Sequence, residues 1–365
     1  MTWLTKRNAL RKLPALLIQR SFSYDFDGIP VSAKHLPFEK TVNLLKCGLD
    51  TLIPFDRQMA LPPSIQVEPT NICNLNCPLC PTGSTHGKRK KGFMSLERFR
   101  SILHELGDIL VSLILYSWGE PFLNRDLPAM IAECTARNIL TITSTNGNCK
   151  LTLDDALKVV DSGLSVLVIA LDGSNQEIYQ RYRRGGDVEK VKRFASLITE
   201  AKIFRGSELP YTNIRAVVTR ENEKDLPNIE GIARSLGMNM FSMKSVGDFV
   251  DISLFNKFEP SSVSMRRYAG KGTTHRPNSF PRCPYPFRQP TIFWDGTVVG
   301  CEFDYDFENS WGMVGEKRLA HIWNCPEARD LRKGIRKGKY RASFCRICPY
   351  KGRHEGGTVL YCVEL

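Results

Sequence analysis

No stretch of this sequence approaches the run of about 18 apolar residues that a membrane-spanning helix requires. A secretory signal is missing as well, because the apolar core Leu13–Ile18 is short and broken and no small-residue cleavage site follows it. There are no internal repeats and no low-complexity segments. Histidine is scarce at six residues, and His275, His321 and His354 each stand alone and default to structural or surface roles. Basic patches interleaved with aromatics, or a recognisable reader module, are not found, so no nucleic-acid partner is expected. Twelve cysteines in 365 residues fall well short of a disulfide scaffold. Their clustering in CxxC-type groups points instead to metal in a reducing, cytoplasmic compartment.

What is present is the composition of an ordinary globular protein, 42% hydrophobic and 24% charged, long enough for one large domain with an appendage or for two domains. The net charge of +13 suggests an acidic partner or substrate. Its local runs, Lys88–Lys91 and Arg332–Arg341, read mainly as solvated surface, with an anionic substrate as the alternative. Residues 1–22, basic through Lys6, Arg7, Arg11, Lys12 and Arg20, read as a helix packed on the body. The alternative is a basic amphipathic helix resting on an anionic membrane or a partner. With a further helix near Glu39–Leu49, residues 1–63 are expected to form a helical extension that closes at Leu61-Pro62-Pro63.

From Ser64 to about Met243, β-like runs alternate with helical patterns. Strands are expected at Ile65–Pro69, Leu110–Tyr116, Ile139–Ser144, Val166–Leu171, Thr212–Val218 and Met240–Lys244. Helices are expected near Leu96–Leu106, Leu127–Arg137, Leu153–Val160, Val188–Ala201 and Leu226–Leu236. Six β-then-α units argue for a parallel α/β barrel or a doubly wound sheet, with ligands at the carboxyl ends of the strands. Residues 245–282, rich in Ser, Arg, Lys, Gly and Phe with little periodicity, read as a linker and lid.

Directly after the first run comes Cys73-Asn74-Leu75-Asn76-Cys77-Pro78-Leu79-Cys80. Three soft thiolates this close can hold three irons of a cubane and leave the fourth open to a small chelating molecule. Zinc would need a fourth ligand, for which His86 is the local candidate. The pattern resembles the signature loop of the radical S-adenosylmethionine (SAM) enzymes, except that the residue before the last cysteine, usually aromatic, is Leu79. In that family the open iron binds the methionine part of SAM, and an electron cleaves SAM to a 5′-deoxyadenosyl radical.

The resemblance extends to the strand ends and implies a partial (β/α)6 TIM-like barrel over residues 64–244. Ser117-Trp118-Gly119-Glu120-Pro121 matches a Gly-Gly-Glu-Pro segment that holds the SAM amino group, with Trp118 in place of the first glycine. This implies Gly119 and Glu120 as SAM contacts. Ser144-Thr145-Asn146-Gly147 matches a Thr-Asn-Gly segment and implies Asn146 as a contact, with Ser144 facing the ribose. At Ala170-Leu171-Asp172-Gly173 the family usually has a serine first, so a ribose contact from here is lost or moves to Ser144. Within Tyr179–Gly185, Arg183 is the candidate for the SAM carboxylate, with Arg184 as its rival.

A second cysteine set, Cys283, Cys301, Cys345 and Cys348, is spaced C-x17-C-x43-C-x2-C. Cys301 follows two β runs joined at Asp295-Gly296, a hairpin signal. Spacing alone fits a zinc ribbon or a fully ligated 4Fe–4S cluster. The layout, continuing through Asp304 and Leu319–Asn324, resembles the SPASM or shortened Twitch auxiliary-cluster domains. It implies one auxiliary 4Fe–4S cluster in a small β-hairpin and helix domain over 283–365. The alternative is a second auxiliary cluster that uses His354 and Cys362. Cys47, Cys134, Cys149 and Cys325 read as buried small apolar residues.

The resemblance therefore implies a radical SAM enzyme fed by a flavodoxin- or ferredoxin-type donor. A two-electron oxidation of a small molecule such as a sugar or aminocyclitol is the preferred expectation, as in the scyllo-inosamine dehydrogenase type. Peptide or protein maturation is the alternative. The residues before Ser64 read as too short and too helical for a leader-binding module. A non-catalytic iron–sulfur carrier is the third reading, and it makes no use of Glu120 or Arg183.

Overall fold

Val166-Leu167-Val168-Ile169 is buried on both faces, the mark of a strand inside a parallel sheet. The computed structural model that contains it describes residues 6–53, 55–84, 89–247, 252–267, 283–339, 342–346 and 359–365. Six parallel strands, β3 (Ser64–Val67), β4 (Ser112–Ile114), β5 (Leu140–Thr145), β6 (Val166–Ala170), β7 (Tyr211–Val218) and β8 (Met240–Ser245), lie side by side in chain order. In the numbering that starts with two helices of the N-terminal segment, the helices between them are α3 (Leu96–Leu106), α4 (Leu127–Thr135), α5 (Leu153–Asp161), α6 (Gln176–Tyr182), α7 (Val188–Arg205) and α8 (Leu226–Ser235). This is the partial (β/α)6 barrel. Caps define several helix starts: Ser95 accepts from Arg98 N–H, and Thr152 with Asp155 closes a reciprocal capping box. Outward-facing Leu113, Leu167, Ile169, Ile214 and Phe241 pack against these helices in the main core.

The N-terminal segment is not purely helical. Between α1 (Lys6–Ile18) and α2 (Phe38–Leu52) stands a hairpin, β1 (Phe22–Phe26) and β2 (Ile29–Ala33). Its alternation is strict: Phe22, Tyr24, Phe26, Ile29, Val31 and Ala33 are buried, and the residues between them within each strand are exposed. Asp27 and Gly28, with φ of 51° and 85°, form the positive-φ pair that a two-residue hairpin turn demands. The buried side packs on Ile114, Ile142, Val166, Val168 and Met240, covering the inner face of the barrel sheet. From α2, the buried Lys40 donates to the carbonyls of Arg137 at 2.7 Å and Asn138 at 2.8 Å, just beyond α4.

The 245–282 stretch is more than a connector where it is described. There α9 (Ile252–Phe258) buries Phe255 and Phe258 against Leu79 and Tyr182. The C-terminal part adds α10 (Tyr285–Arg288) and the expected hairpin, β9 (Thr291–Ile292) and β10 (Thr297–Val299), followed by β11 (Ser310–Met313). This hairpin is not a separate sheet, because β9 pairs parallel with β3. The helices α11 (Leu319–Trp323), α12 (Pro326–Arg336) and α13 (Ser343–Arg346) follow, and β12 (Val359–Glu364) pairs antiparallel with β8 at the other end of the ten-strand order. Among the described residues no helix is long and apolar enough to cross a membrane.

Both basic runs are mostly the solvated surface expected of them, with Lys90, Lys91, Lys333, Lys337 and Lys339 exposed, but one arginine of each turns its side chain inward. Arg89 is buried, bonded to Glu68 at 2.5 Å with its guanidinium 4.0 Å from the Phe293 ring. Arg332 is fully buried beside Trp323 and Trp311, at 3.9 and 5.1 Å, and donates to the carbonyls of Pro286 and Trp323. Each guanidinium is planar and weakly hydrated, so aromatic faces and carbonyls can replace its water.

Candidate functional site

β3 leads into the loop Cys73–Cys80, which is held from three directions. Asn76 N–H donates to the Arg184 carbonyl at 2.9 Å, beyond α6. Glu120 N–H, beyond β4, donates to the Ile72 carbonyl at 2.8 Å. Asn146, beyond β5, donates from Nδ2 to Asn74 Oδ1 at 2.9 Å and lies 3.7 Å from Cys73 Sγ. The carboxyl ends of three strand units thus close on one loop, as the barrel geometry predicts.

Glu120 is buried and serves as a clasp. Its Oε1 accepts from Phe122 N–H at 3.1 Å and the Thr145 hydroxyl at 2.8 Å, and its Oε2 accepts from Asn146 N–H at 2.7 Å. Burial pushes the carboxyl up to about 7 against these bonds. Ser144 is half-buried and alternates onto the inner face with Ile142. Arg183 ends α6 and donates from Nε to Asp172 Oδ2 at 2.5 Å, while its Nη1 lies 3.9 Å from Cys77 Sγ. Asp172 is fixed in turn by Val217 N–H at 2.7 Å. Burial works against the Arg183 charge, but Asp172 and the neighbouring thiol outweigh it and hold the group above its ordinary value.

The thiols suit a cationic iron cluster. Burial pushes Cys73 up to about 12 and Cys77 up to about 11, and it raises Cys80 as well. Such thiols ionise on binding metal, and Arg183 stands beside Cys77 to balance the charge. Among the described residues no three donors crowd round a point where one ion could sit. Three thiolates are soft donors of the kind that hold iron–sulfur clusters. His86 lies outside the described residues.

The C-terminal part closes on the same site. Trp118 Nε1 donates to the Glu302 carbonyl at 2.8 Å, and its ring meets Phe303 and Tyr305 edge-on. Gln66 donates from Nε2 to Glu302 Oε2 at 2.6 Å. Cys301, buried, follows β10, while Cys283 precedes α10 and Cys345 lies in α13. Cys348 and His354 lie outside the described residues. Cys362 sits on β12 against the hairpin tip, where a Cβ on Gly28 would come 3.1 Å from its sulfur.

Sequence comparison agrees with this geometry. A profile described as the radical SAM superfamily matches residues 67–230, and one described as an iron–sulfur cluster-binding domain, SPASM, matches residues 283–349. The chain belongs to the radical SAM superfamily. As a radical SAM enzyme with a SPASM domain, it uses a 4Fe–4S cluster, an auxiliary cluster and SAM.

One relative of this radical SAM protein is the tungsten-containing aldehyde ferredoxin oxidoreductase cofactor-modifying protein of Pyrococcus furiosus. It is 25% identical over 293 residues, covering 71% of this chain and 80% of the relative. The PqqA peptide cyclase of Gluconobacter oxydans is 26% identical over 324 residues, covering 81% and 85%. Of other curated relatives, the chain spans about half the length, for example 45% of the mycofactocin maturase MftC of Mycolicibacterium smegmatis and 56% of a probable GTP 3′,8-cyclase of Methanocaldococcus jannaschii. The crystal structure of Streptococcus suis SuiB bound to precursor peptide SuiA superposes with a TM-score of 0.61 at 15% identity, covering 96% of this chain and 84% of SuiB. That likeness bears on fold.

Several residues around the site lie inside the quoted motifs but were given no role of their own. Asp172, a charged residue at the carboxyl end of a barrel strand, could have been found by that position alone. Thr145 and Asn74 were overlooked because each acts through a neighbour, Glu120 and Asn146 respectively. Two cysteines expected to be plainly buried are half-buried. Cys325 caps α12 by accepting from Ala328 N–H, and Cys149 stands within electrostatic reach of Glu120 and Cys73.

Proposed function

We propose that Cys73, Cys77 and Cys80 ligate the SAM-binding cluster, and that Gly119, Glu120, Ser144, Asn146 and Arg183 contact SAM. Cys283, Cys301, Cys345 and Cys348 are then the ligands of one auxiliary 4Fe–4S cluster. The observation that carries this reading is the approach of Asn146 and Arg183, from two different strand units, to within 3.7 and 3.9 Å of the Cys73 and Cys77 sulfurs. When bound, the cluster and SAM supply one-electron reduction and a hydrogen-abstracting deoxyadenosyl radical. The protein's part is placement. Asp172 orients Arg183 so that its Nη edge, beside the Cys77 sulfur, can take a carboxylate, Glu120 braces Asn146 against the loop, and Trp118 with Glu302 excludes water from one side.

The functional division that goes with this reading is an extension over 1–63, the barrel over 64–244, a linker over 245–282 and the auxiliary-cluster part over 283–365. A flavodoxin- or ferredoxin-type protein supplies the electron. The reaction we favour is a two-electron oxidation of a small polar molecule, supported by the polar inner face of Gln66, Tyr116, Arg215 and Lys244 beside the covering hairpin. Peptide modification is the second reading, favoured by the peptide-cyclase relative that matches 81% of the chain.

The test is the iron content of anaerobically reconstituted protein, wild type beside a Cys73/Cys77/Cys80→Ala triple variant, with 5′-deoxyadenosine measured after dithionite reduction. About eight irons falling to about four, with deoxyadenosine formed by the wild type and not by the variant, is expected for two cubanes. About four irons falling to none, with zinc at the C-terminal cysteines, would remove the auxiliary-cluster oxidation. No deoxyadenosine from fully loaded wild type would remove the whole reading.

A further inference from the structure

The tip of the β1–β2 hairpin reaches the inner face of the barrel near the carboxyl ends of β7 and β8. Asp27 Oδ2 accepts from Lys244 Nζ at 2.9 Å and from Arg215 Nη1 at 3.2 Å, and the Asp27 carbonyl accepts from Arg215 Nη2 at 3.2 Å. Arg215 Nε is steadied by the Ser242 hydroxyl at 3.1 Å. By strand register Arg215 lies beside Ala170, one inward-facing layer nearer the carboxyl face than Val168, the neighbour of Ser144. Lys244, beside Val217, lies a layer further toward that face. Both cations therefore stand at the end of the barrel where Asn146 and Arg183 meet the cysteine loop.

Two features separate this cluster from a structural ion pair. The first is charge balance. Arg267, bonded to Ser245, is close enough to act on Lys244, so three cations face two described carboxylates, Asp27 and Glu302. Even partial burial penalises an uncompensated charge, so a pair that only fastened the hairpin would be expected to balance. The second is access. Although burial depresses the Lys244 ammonium, 21% of its side chain remains accessible, as does 16% of Asp27. Among the described residues Lys244 has one acceptor for its three donors, which leaves two directed elsewhere.

We propose that Arg215 and Lys244 form an oxyanion subsite inside the barrel that takes the carboxylate or phosphate of a small substrate, with Asp27 of the hairpin setting its strength. This rests on the barrel being the reaction chamber. Asp27 holds both cations in place and competes with the incoming anion. Removing its charge without changing its shape should therefore strengthen binding, whereas a purely structural pair would lose by it. The substrate would be bound by charge on the side of the barrel opposite the cysteine loop's own strand, β3, and oriented toward that loop.

The test is calorimetric titration of the reconstituted full-length protein, with SAM present, using succinate and inorganic phosphate at constant ionic strength and chloride as the control. Saturable binding is expected for at least one oxyanion. It should be at least about tenfold weaker in Lys244→Met and severalfold tighter in Asp27→Asn, as for a charge-assisted bond gained or lost. Succinate alone would mark a carboxylate substrate and phosphate alone a phosphorylated one, and either supports the subsite. Because Lys244→Met could fail to fold, Lys244→Arg is the second variant and should retain binding. Asp27→Asn should also melt lower than wild type and recover with the saturating anion. No saturable binding by the wild type, equal competition by chloride, unchanged affinity in Lys244→Met, or weaker binding in Asp27→Asn would each overturn the proposal. Deoxyadenosine formation without oxyanion binding overturns the subsite alone. Oxyanion binding without deoxyadenosine supports the subsite and counts against the radical reading.

Discussion

Gly119 has no room for a side chain. A Cβ there would lie 2.0 Å from the Thr70 carbonyl oxygen and 2.7 Å from its carbon, so backbone rather than a flexible tip would have to yield. Gly119→Ala must push the Ser117–Glu120 turn off the segment that leads into the cysteine loop, drawing Glu120 away from Thr145 and Asn146. A loss of about 1–3 kcal/mol of stability is expected, as for overpacking elsewhere. SAM affinity should fall at least about tenfold, since the displaced groups are positioning ones. Unchanged melting and unchanged SAM affinity would show that this turn is not clamped. Arg183→Lys asks a different question, because lysine keeps the charge and loses the planar fork. If one edge of the guanidinium serves Asp172 while the other serves SAM, the KM for SAM should rise in the lysine variant. An unchanged KM would leave Arg183 as a partner of Asp172 alone.

At the scale of elements, the six barrel strands and five of their helices were legible because each carries its own pattern: apolar runs for strands, helically spaced apolar positions for helices. The hairpin was equally legible and was overlooked. Phe22-Ser23-Tyr24-Asp25-Phe26-Asp27-Gly28 has the alternation and the Asp-Gly turn that identify the β9–β10 pair. The burial of Arg89 and Arg332 was not legible, since it depends on Glu68 and Phe293 for one and on Trp311 and Trp323 for the other, and nothing local to an arginine predicts such partners. Arg183, by contrast, came from its motif, while its tie to Asp172 required the fold. The seam between extension and barrel gives a pH prediction. Lys40→Met leaves the carbonyls of Arg137 and Asn138 without a donor and should cost about 1–3 kcal/mol. Burial pulls Lys40 down to about 8 from an ordinary value of 10.5, so between those values the unfolded chain holds more protons than the folded one. Wild-type stability therefore gains as pH rises through that window, and the gap to Lys40→Met should widen from pH 8 to pH 10 while staying flat below pH 8. Equal gaps at pH 7 and pH 10, measured by denaturant unfolding, would count against a buried, charged Lys40.

The whole molecule is one sheet more than it is a barrel with a lid. β9 continues the parallel order beyond β3, and β3 is the strand that delivers the cysteine loop. Ile292 and Val298 lie in the same core as Ile65, Val67 and Leu113, and Arg89 from the segment after the loop is buried against Phe293. Removing residues 283–365 would therefore bare the edge of β3, uncover its apolar flank and leave Arg89 and Trp118 without their aromatic neighbours. An exposed, hydrophobic strand edge of this kind invites association with other chains. A chain ending at residue 282 should accordingly fail to melt as one cooperative unit and should not retain the four irons expected of the remaining cysteine loop, even after anaerobic reconstitution. Were the two parts independent, the truncated chain would hold about four irons, the count of one cubane, and unfold cooperatively. The first outcome would mean that the auxiliary part is needed to build the SAM site; the second would make the shared sheet a matter of contact alone.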